Sequence, residues 1–178
     1  NSNPLSNNTS NNKLYIGSTQ ATEIAIPNGV TNIGQHAFYG AKLSSVSIPA
    51  SVKSIGQYAF YNNNFSTLTI PEGVTLIDNN AFYNTKLTSV TIPSTVEIIG
   101  SCAFYNTKLT SVDVPATVKS IGDVAFYNAL NVNYTGAATG SPWGARTFNG
   151  TVDGDFVYAD AAKTIISGYF GTATAVTI

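Results

Sequence analysis

The chain has 178 residues, a length that suits a single domain, and only 10% of them are charged, well below the roughly 25% usual for soluble domains. Its net charge of −1 offers no basic surface to nucleic acid or to an anionic membrane, and no apolar run is long enough to cross a bilayer. The one cysteine excludes an internal disulfide, and 22 Thr and 19 Asn supply most of the polarity.

The chain begins with two short segments that differ in composition. Residues 1–12, NSNPLSNNTSNN, contain almost no apolar side chains, which predicts a flexible leader. In residues 13–26, KLYIGSTQATEIAI, apolar residues alternate around a Gly-Ser pair. This alternation predicts a lead-in strand or hairpin that caps the repeat array described next.

An array of 22-residue units occupies residues 27–130 without an insertion or deletion. Each unit repeats the same proline, the same Val and Ile, and the same Ala-Phe-Tyr triplet, whose central residues are Phe38, Phe60, Phe82, Phe104 and Phe126. A fixed period in this range indicates a solenoid, in which each unit forms one coil.

Within one unit the hydrophobic period predicts the course of a coil. In the fourth unit, residues 89–92 alternate and place Val90 and Ile92 on one face, which predicts a strand that Pro93 ends. Pro-x-x-Val then makes a corner, Val-x-x-Ile-Gly a shorter extended segment, and Ala-Phe-Tyr a compact helical turn. We therefore expect one parallel-sheet strand per coil, with short helical turns elsewhere.

Two corners of the coil are expected to need positive φ, which Gly and Asn adopt most easily. The first corner follows the tyrosine and carries Gly40, Asn62, Asn84, Asn106 and Asn128. The second follows the isoleucine and carries Gly34, Gly56, Asp78, Gly100 and Gly122. Coils stacked about 4.8 Å apart would share one core of Val, Ile, Phe and Leu, with an open edge at each end.

The repeat register is lost after Asn128, and residues 131–171 are predicted to be a non-repeat spacer with a Trp-bearing turn and a β-hairpin. Ser141-Pro142 is typical of a helix start. Trp143 and Arg146 could form an exposed pair, or Trp143 could plug a small local core. Residues 172–178 resemble the lead-in to the first unit and are interpreted as the start of a further repeat run in a longer protein.

The pattern L-x-x-V-x-I-P-x-x-V-x-x-I-G-x-x-A-F-Y-N resembles the bacterial leucine-rich repeats of the BspA-like, or Treponema pallidum, type. The resemblance extends from about Glu23 to Asn128. It implies a right-handed leucine-rich-repeat solenoid that is mainly β, in a secreted or surface-anchored protein. Members of this family are adhesins and interaction modules, which implies a host or cell-surface protein or glycan as the partner.

The first candidate binding surface is the strand face that points away from the core, because this face is the usual binding surface of leucine-rich repeats. Apart from Ala25, it comprises Glu23, Ser45, Ser47, Thr67, Thr69, Ser89, Thr91, Ser111 and Asp113. The alternative is purely structural, since Ser and Thr favour exposed strand positions and pair with their neighbours.

The second candidate is the column Tyr39, Tyr61, Tyr83, Tyr105 and Tyr127. Evenly spaced exposed rings could stack on sugars or anchor a protein partner. Half-buried rings would only cover the phenylalanines behind them.

No constellation of catalytic residues is evident, because His36 and Cys102 lie at variable positions of the repeat and no phosphate or dinucleotide motif occurs. We expect no catalytic residue, cofactor or metal. The sequence thus favours a binding module that acts as a monomer, with end-to-end contacts possible. The alternative is a rigid spacer that displays another domain.

Overall fold

The computed structural model describes residues 15–16, 19–138, 143–145, 147–149, 152–153, 156–158 and 166–169. Its centre is a stack of coils with the 22-residue period that the sequence predicts, so the predicted parallel-strand solenoid is confirmed. Two short antiparallel strands precede the stack, β1 (Tyr15–Ile16) and β2 (Thr19–Gln20). The leader at 1–12 and the final segment at 172–178 lie outside the described residues.

Each coil contributes two strands rather than one. The second strand of each coil joins a continuous five-stranded parallel sheet, made of β4 (Asn32–Ile33), β6 (Ser54–Ile55), β8 (Leu76–Ile77), β10 (Ile98–Ile99) and β12 (Ser120–Ile121). The register pairs each residue with the one 22 positions later, so the isoleucines form an inward column.

The first strand of each coil lies on another side of the stack. These strands are β3 (Glu23–Ala25), β5 (Ser45–Ser47), β7 (Thr67–Thr69), β9 (Ser89–Thr91) and β11 (Val112–Asp113). Hydrogen bonds pair β3 with β5 and β7 with β9 in parallel, while β5 and β7 lie side by side in separate sheets.

Two strands of the predicted spacer continue this side of the stack. β13 (Asn131–Asn133) pairs in parallel with β11, and β14 (Thr147–Asn149) pairs in parallel with β13. Farther on, β15 (Val152–Asp153), β16 (Phe156–Tyr158) and β17 (Ile166–Tyr169) form an antiparallel sheet. The residues from 131 onward therefore begin as two more strands of the stack.

The predicted helical turn around Ala-Phe-Tyr is wrong, because the segment is a series of tight turns. In the first coil the N–H groups of Ala37 and Tyr39 donate back to the residue three positions earlier. The N–H groups of His36, Phe38 and Gly40 donate instead to the next coil, as that of Phe38 does to the carbonyl of Ala59 at 2.7 Å. Every second donor is thus committed to a neighbouring coil, and a continuous helical hydrogen-bond pattern cannot form.

Positive φ occurs at one predicted corner and not at the other. Gly40 and the four asparagines that replace it have φ between 54° and 71°, as expected. The glycines after the isoleucine do not have positive φ, and the left-handed residue lies two positions later, at His36, Tyr58, Asn80, Cys102 and Val124. Gly122 is required for another reason, since a Cβ there would lie 2.3 Å from the amide nitrogen of Ser101 in the preceding coil.

The core consists of continuous side-chain columns. The prolines close the first corner, with the N–H of Val52 donating to the carbonyl of Pro49 at 3.1 Å. Phe60, Phe82, Phe104 and Phe126 are fully buried, and adjacent rings stack with centroids 5.2–5.4 Å apart. Phe65 takes the place of a leucine and meets two of these rings edge to face.

Two aromatic residues lie at the carboxyl-terminal end of the described core. Tyr134 is buried, and its hydroxyl donates to the carbonyl of Val118 at 2.6 Å. Trp143 is also buried, lies edge to face against Tyr134, and accepts the N–H of Phe126 at its carbonyl, where the next coil would. Trp143 therefore plugs a local core and sits in a turn with φ of 49°, while Ser141, Pro142 and Arg146 lie outside the described residues.

The first coil presents the opposite end of the core. A concavity of about 450 Å³ there is lined by Ile24, Ile26, Val30, Ile33, Ala37 and Phe38. Phe38 remains half-buried, whereas its four counterparts are buried completely. The two ends of the stack therefore differ.

We expect Phe82→Ala and Phe104→Ala to lower the free energy of unfolding by about 3–5 kcal/mol each, because a buried ring is lost and a cavity remains. Ser89→Ala and Thr91→Ala, on the exposed face, should each cost well under about 1 kcal/mol. Urea unfolding monitored by circular dichroism measures both sets. Equal losses in the two sets would contradict the assignment of the inward and outward faces.

Val124→Asn should raise the free energy of unfolding by about 1 kcal/mol, because a β-branched residue is strained in the left-handed region and asparagine is not. The reciprocal variant Asn80→Val, at the same position of another coil, should lower it by a similar amount. A stabilising Asn80→Val would show that φ does not control this position. Thermal unfolding of both variants beside the parent decides the question.

Candidate functional site

The strand face carries the first set of predicted site residues, and the structure leaves all of them exposed. Outward positions on the first strands are Glu23, Ser45, Ser47, Thr67, Thr69, Ser89, Thr91, Ser111 and Asp113. The residues between them point inward, as Leu68 and Val90 do. The core therefore does not need these side chains.

The centre of this face is a shallow polar groove. Ser45 and Ser47, Thr67 and Thr69, and Ser89 and Thr91 line it, and its volume is about 510 Å³. A smaller depression of about 310 Å³ continues toward Glu23 and Ala25. The groove lies over the boundary between β5 and β7, where the two strands belong to separate sheets.

A third column of hydroxyl groups, which was not identified from the sequence, borders the face. Thr22, Ser44, Ser66, Thr88 and Thr110 are all exposed just before the strands. Some hydroxyls of this column bond within the stack: Ser44 Oγ donates to the carbonyl of Thr22 at 3.0 Å, and Thr88 Oγ1 to that of Ser66 at 3.2 Å. Their period of 22 was visible, but the strand alternation alone did not assign them to this face.

The face also extends beyond the predicted array. β13 places Asn133 beside Asp113, and Asn133 Nδ2 donates to Asp113 Oδ1 at 2.5 Å. Asn131 Nδ2 in turn donates to Asn133 Oδ1 at 3.0 Å, and Asn133 Nδ2 also reaches Ser111 Oγ at 3.4 Å. These three residues, which we call the amide–carboxylate cluster (Asp113, Asn131 and Asn133), form a connected chain of planar polar groups.

The tyrosine column, the second predicted site, consists of rings stacked on each other. Tyr39, Tyr61, Tyr83, Tyr105 and Tyr127 have adjacent centroids 4.4–4.9 Å apart and nearly parallel planes. The first four are half-buried and Tyr127 is 39% exposed. Because the two neighbours of each inner ring cover both of its faces, the column offers ring edges and hydroxyl groups, and a sugar has no inner ring face on which to stack.

A stacked ring pair and a ladder of asparagines lie beside the tyrosines. His36 stacks on Tyr58 with centroids 5.0 Å apart, and Tyr58 meets Tyr61 edge to face. At the adjacent corner Asn84, Asn106 and Asn128 each donate from Nδ2 to Oδ1 of the asparagine in the preceding coil, at 2.9–3.3 Å. These contacts tie successive coils together on the surface.

Few side chains in the part of the chain that the structure describes have the reactivity or the grouping that catalysis requires. Burial, followed by the negative charge of Asp123, raises the pKa of the Cys102 thiol, so the reactive thiolate is disfavoured. Among the described residues, no three His, Cys, Asp or Glu side chains group in a way that could hold a metal ion. The same residues contain no helix of the length and hydrophobicity that crossing a membrane requires.

A family model described as the BspA type leucine rich repeat region matches residues 8–133 in six copies. A solved leucine rich repeat protein from T. pallidum is 28% identical over 72% of this chain and 69% of its own, with a TM-score of 0.62. No curated protein matches the sequence significantly.

Two other solved structures are more distant. A leucine-rich repeat protein from Bacteroides ovatus is 20% identical, with 74% of this chain and 52% of that chain covered and a TM-score of 0.28. A leucine rich cell surface protein from Faecalibacterium prausnitzii is 14% identical, with coverage of 86% and 63% and a TM-score of 0.34.

The tyrosine column predicts a loss of stability in alkali. Burial, then the charges of neighbouring tyrosines, raises the pKa of Tyr39 and Tyr83 above the ordinary value of 10.0. As the pH rises, the unfolded chain therefore loses these protons before the folded chain does. The contribution of the two tyrosines to the free energy of unfolding is complete below pH 10.0 and is lost as the pH rises through the folded pKa. Urea unfolding at increasing pH measures the loss.

Tyr61→Phe provides the control, because Tyr61 is the second cause of the raised pKa of Tyr39, through its charge and a hydrogen bond. This variant should return the pKa of Tyr39 toward 10.0, which NMR of the ring carbons can follow. A Tyr39 that titrates identically in both proteins would contradict the coupling between stacked rings.

Proposed function

Because the chain belongs to the BspA-type leucine-rich repeat family, we propose that it is a non-catalytic binding module of a cell-surface protein, of the adhesin type. It recognises a protein or a glycan outside the cell and acts as a monomer, with no nucleic-acid partner and no insertion into the membrane. Its membership of the family supports the proposed placement at the cell surface.

The exposed strand face carries this proposal. Twelve of the fifteen positions in its three columns hold a hydroxyl group, and the core uses none of them. A groove of about 510 Å³ crosses the middle of the face, over strands that parallel pairing holds in place. Such a surface is already ordered before a partner arrives, which reduces the entropy lost on binding.

The second candidate function is a rigid spacer that holds another domain away from the cell. The stacked phenylalanines, tyrosines and asparagines favour it, since ladders on several sides resist bending between coils. Glu97 also pairs with Lys119 of the next coil at 3.0 Å, although an exposed ion pair contributes little. A spacer needs stiffness and no particular face.

A binding screen separates the two functions. The parent protein is tested against purified extracellular-matrix proteins and an immobilised glycan panel, beside the quadruple variant Ser45→Lys, Thr67→Glu, Ser89→Lys and Ser111→Glu. Alternating signs keep the net charge and avoid like charges on adjacent strands. We expect the parent to bind at least one partner and the variant to lose that binding.

The control carries the same charges on the other sheet, at Asn32→Lys, Ser54→Glu, Ile98→Lys and Ser120→Glu, and should bind as the parent does. Circular dichroism confirms that both variants are folded. Equal loss of binding in the two variants would contradict the strand face as the site. No binding by the parent would favour the spacer.

A further inference from the structure

The charges of the strand face restrict the ligands that it can accept. Its only charged side chains among the described residues are Glu23 on the first strand and Asp113 on the fifth, and both are acidic. The groove between them is lined by neutral hydroxyl groups. An anionic ligand would therefore find no opposite charge here and would meet a carboxylate at either end.

The same face lacks the side chains that dominate affinity between proteins. Energetic hot spots of protein interfaces are mostly Trp, Tyr and Arg, which bury a large area in a pocket. None of these residues occupies an outward position on the described strands β3, β5, β7, β9, β11 and β13. A ligand of this face must gain its affinity from hydrogen bonds, and a sugar, with a hydroxyl on most carbons, provides them.

The amide–carboxylate cluster supplies the strongest of these hydrogen bonds. It is the part of the face where adjacent strands depart from Ser and Thr, with Asp113 on β11 in register with Asn133 on β13. Its side chains are fixed by their own hydrogen bonds at 2.5 and 3.0 Å, so a ligand need not order them. Asp113 is exposed, and within the described residues its Oδ2 is left to accept further hydrogen bonds. A hydrogen bond to a carboxylate is stronger than one to a neutral oxygen.

We propose that the strand face binds an uncharged oligosaccharide, whose vicinal hydroxyl groups bond to Asp113 and Asn133 while the rest of the chain lies along the groove. A sugar ring in an extended chain has about the length of the spacing between coils, so successive rings can meet successive strands. The inference rests on the proposed binding function and adds the chemical class of the ligand and the end of the face that anchors it.

Isothermal titration calorimetry of the whole chain tests the inference. The probes are four neutral hexasaccharides, cellohexaose, xylohexaose, mannohexaose and maltohexaose, and one acidic probe, hexagalacturonate. We expect at least one neutral probe to bind and the acidic probe to bind at least about tenfold more weakly. Asp113→Ala and Asn133→Ala should each weaken the neutral probe by roughly tenfold, since a hydrogen bond to a fixed polar group is lost.

Asp123→Ala is the matched control, because Asp123 is also exposed but lies after the second strand, away from the face. It should leave the affinity unchanged. If the alanine variants fail to fold, the isosteric Asp113→Asn replaces them and should still weaken binding severalfold, since an amide oxygen accepts a weaker hydrogen bond than a carboxylate.

Three results would overturn the inference: binding of hexagalacturonate as tight as that of the best neutral probe, unchanged affinity in the Asp113 and Asn133 variants, or no binding of any neutral probe. The proposed function survives the third result if a matrix protein binds the parent and the quadruple variant loses it. Both fall together only if neither a sugar nor a protein binds.

Discussion

The stack depends on how the backbone N–H groups of the turn segment are divided between hydrogen bonds within a coil and hydrogen bonds to the next coil. Through residues 36–40 and their equivalents, N–H groups alternate between the chain three residues earlier and the next coil. This alternation ties each coil to the following one by the backbone alone, whatever the side chains are. It also explains the absence of insertions, because one extra residue would exchange the inward and outward donors, and the phenylalanine and tyrosine columns with them.

The sequence predicted the parts of the fold that repeat and failed where repetition was incomplete. The period, the inward Val, Ile, Leu and Phe, and the exposed Ser and Thr followed directly from alignment of the units, because each coil imposes the same environment on equivalent residues. The helical turn was wrong because bonds between residues three apart are common to a helical turn and to successive tight turns. The positive φ at position 36 and its equivalents was not predicted. His36, Tyr58, Asn80, Cys102 and Val124 have only this backbone angle in common, and their residue types do not indicate it.

The candidate site was predicted in its middle and not at its end. Asn131 and Asn133 were not identified from the sequence because two residues are missing before β13, so Asn133 lies 20 positions after its partner Asp113 instead of 22. A signal was present nonetheless, since Asn-Val-Asn alternates as the strands do and is followed by Tyr134 where the other coils have Ile or Val. That tyrosine reaches a carbonyl of the preceding coil, which an aliphatic residue could not do. The closing coil is therefore specialised both in its core and on its face.

The equivalent interfaces between coils have an evolutionary consequence. A gene duplication that adds one 22-residue unit inserts a coil whose two sides already fit their new neighbours, so the array can lengthen without compensating mutations. The closing coil cannot be copied in this way, because Tyr134 and Trp143 stand where the regular coils have Ile or Val and Ala. Lineages of such proteins should therefore vary in the number of internal units, and so in the length of the surface that they present. Their closing coils should diverge independently of one another.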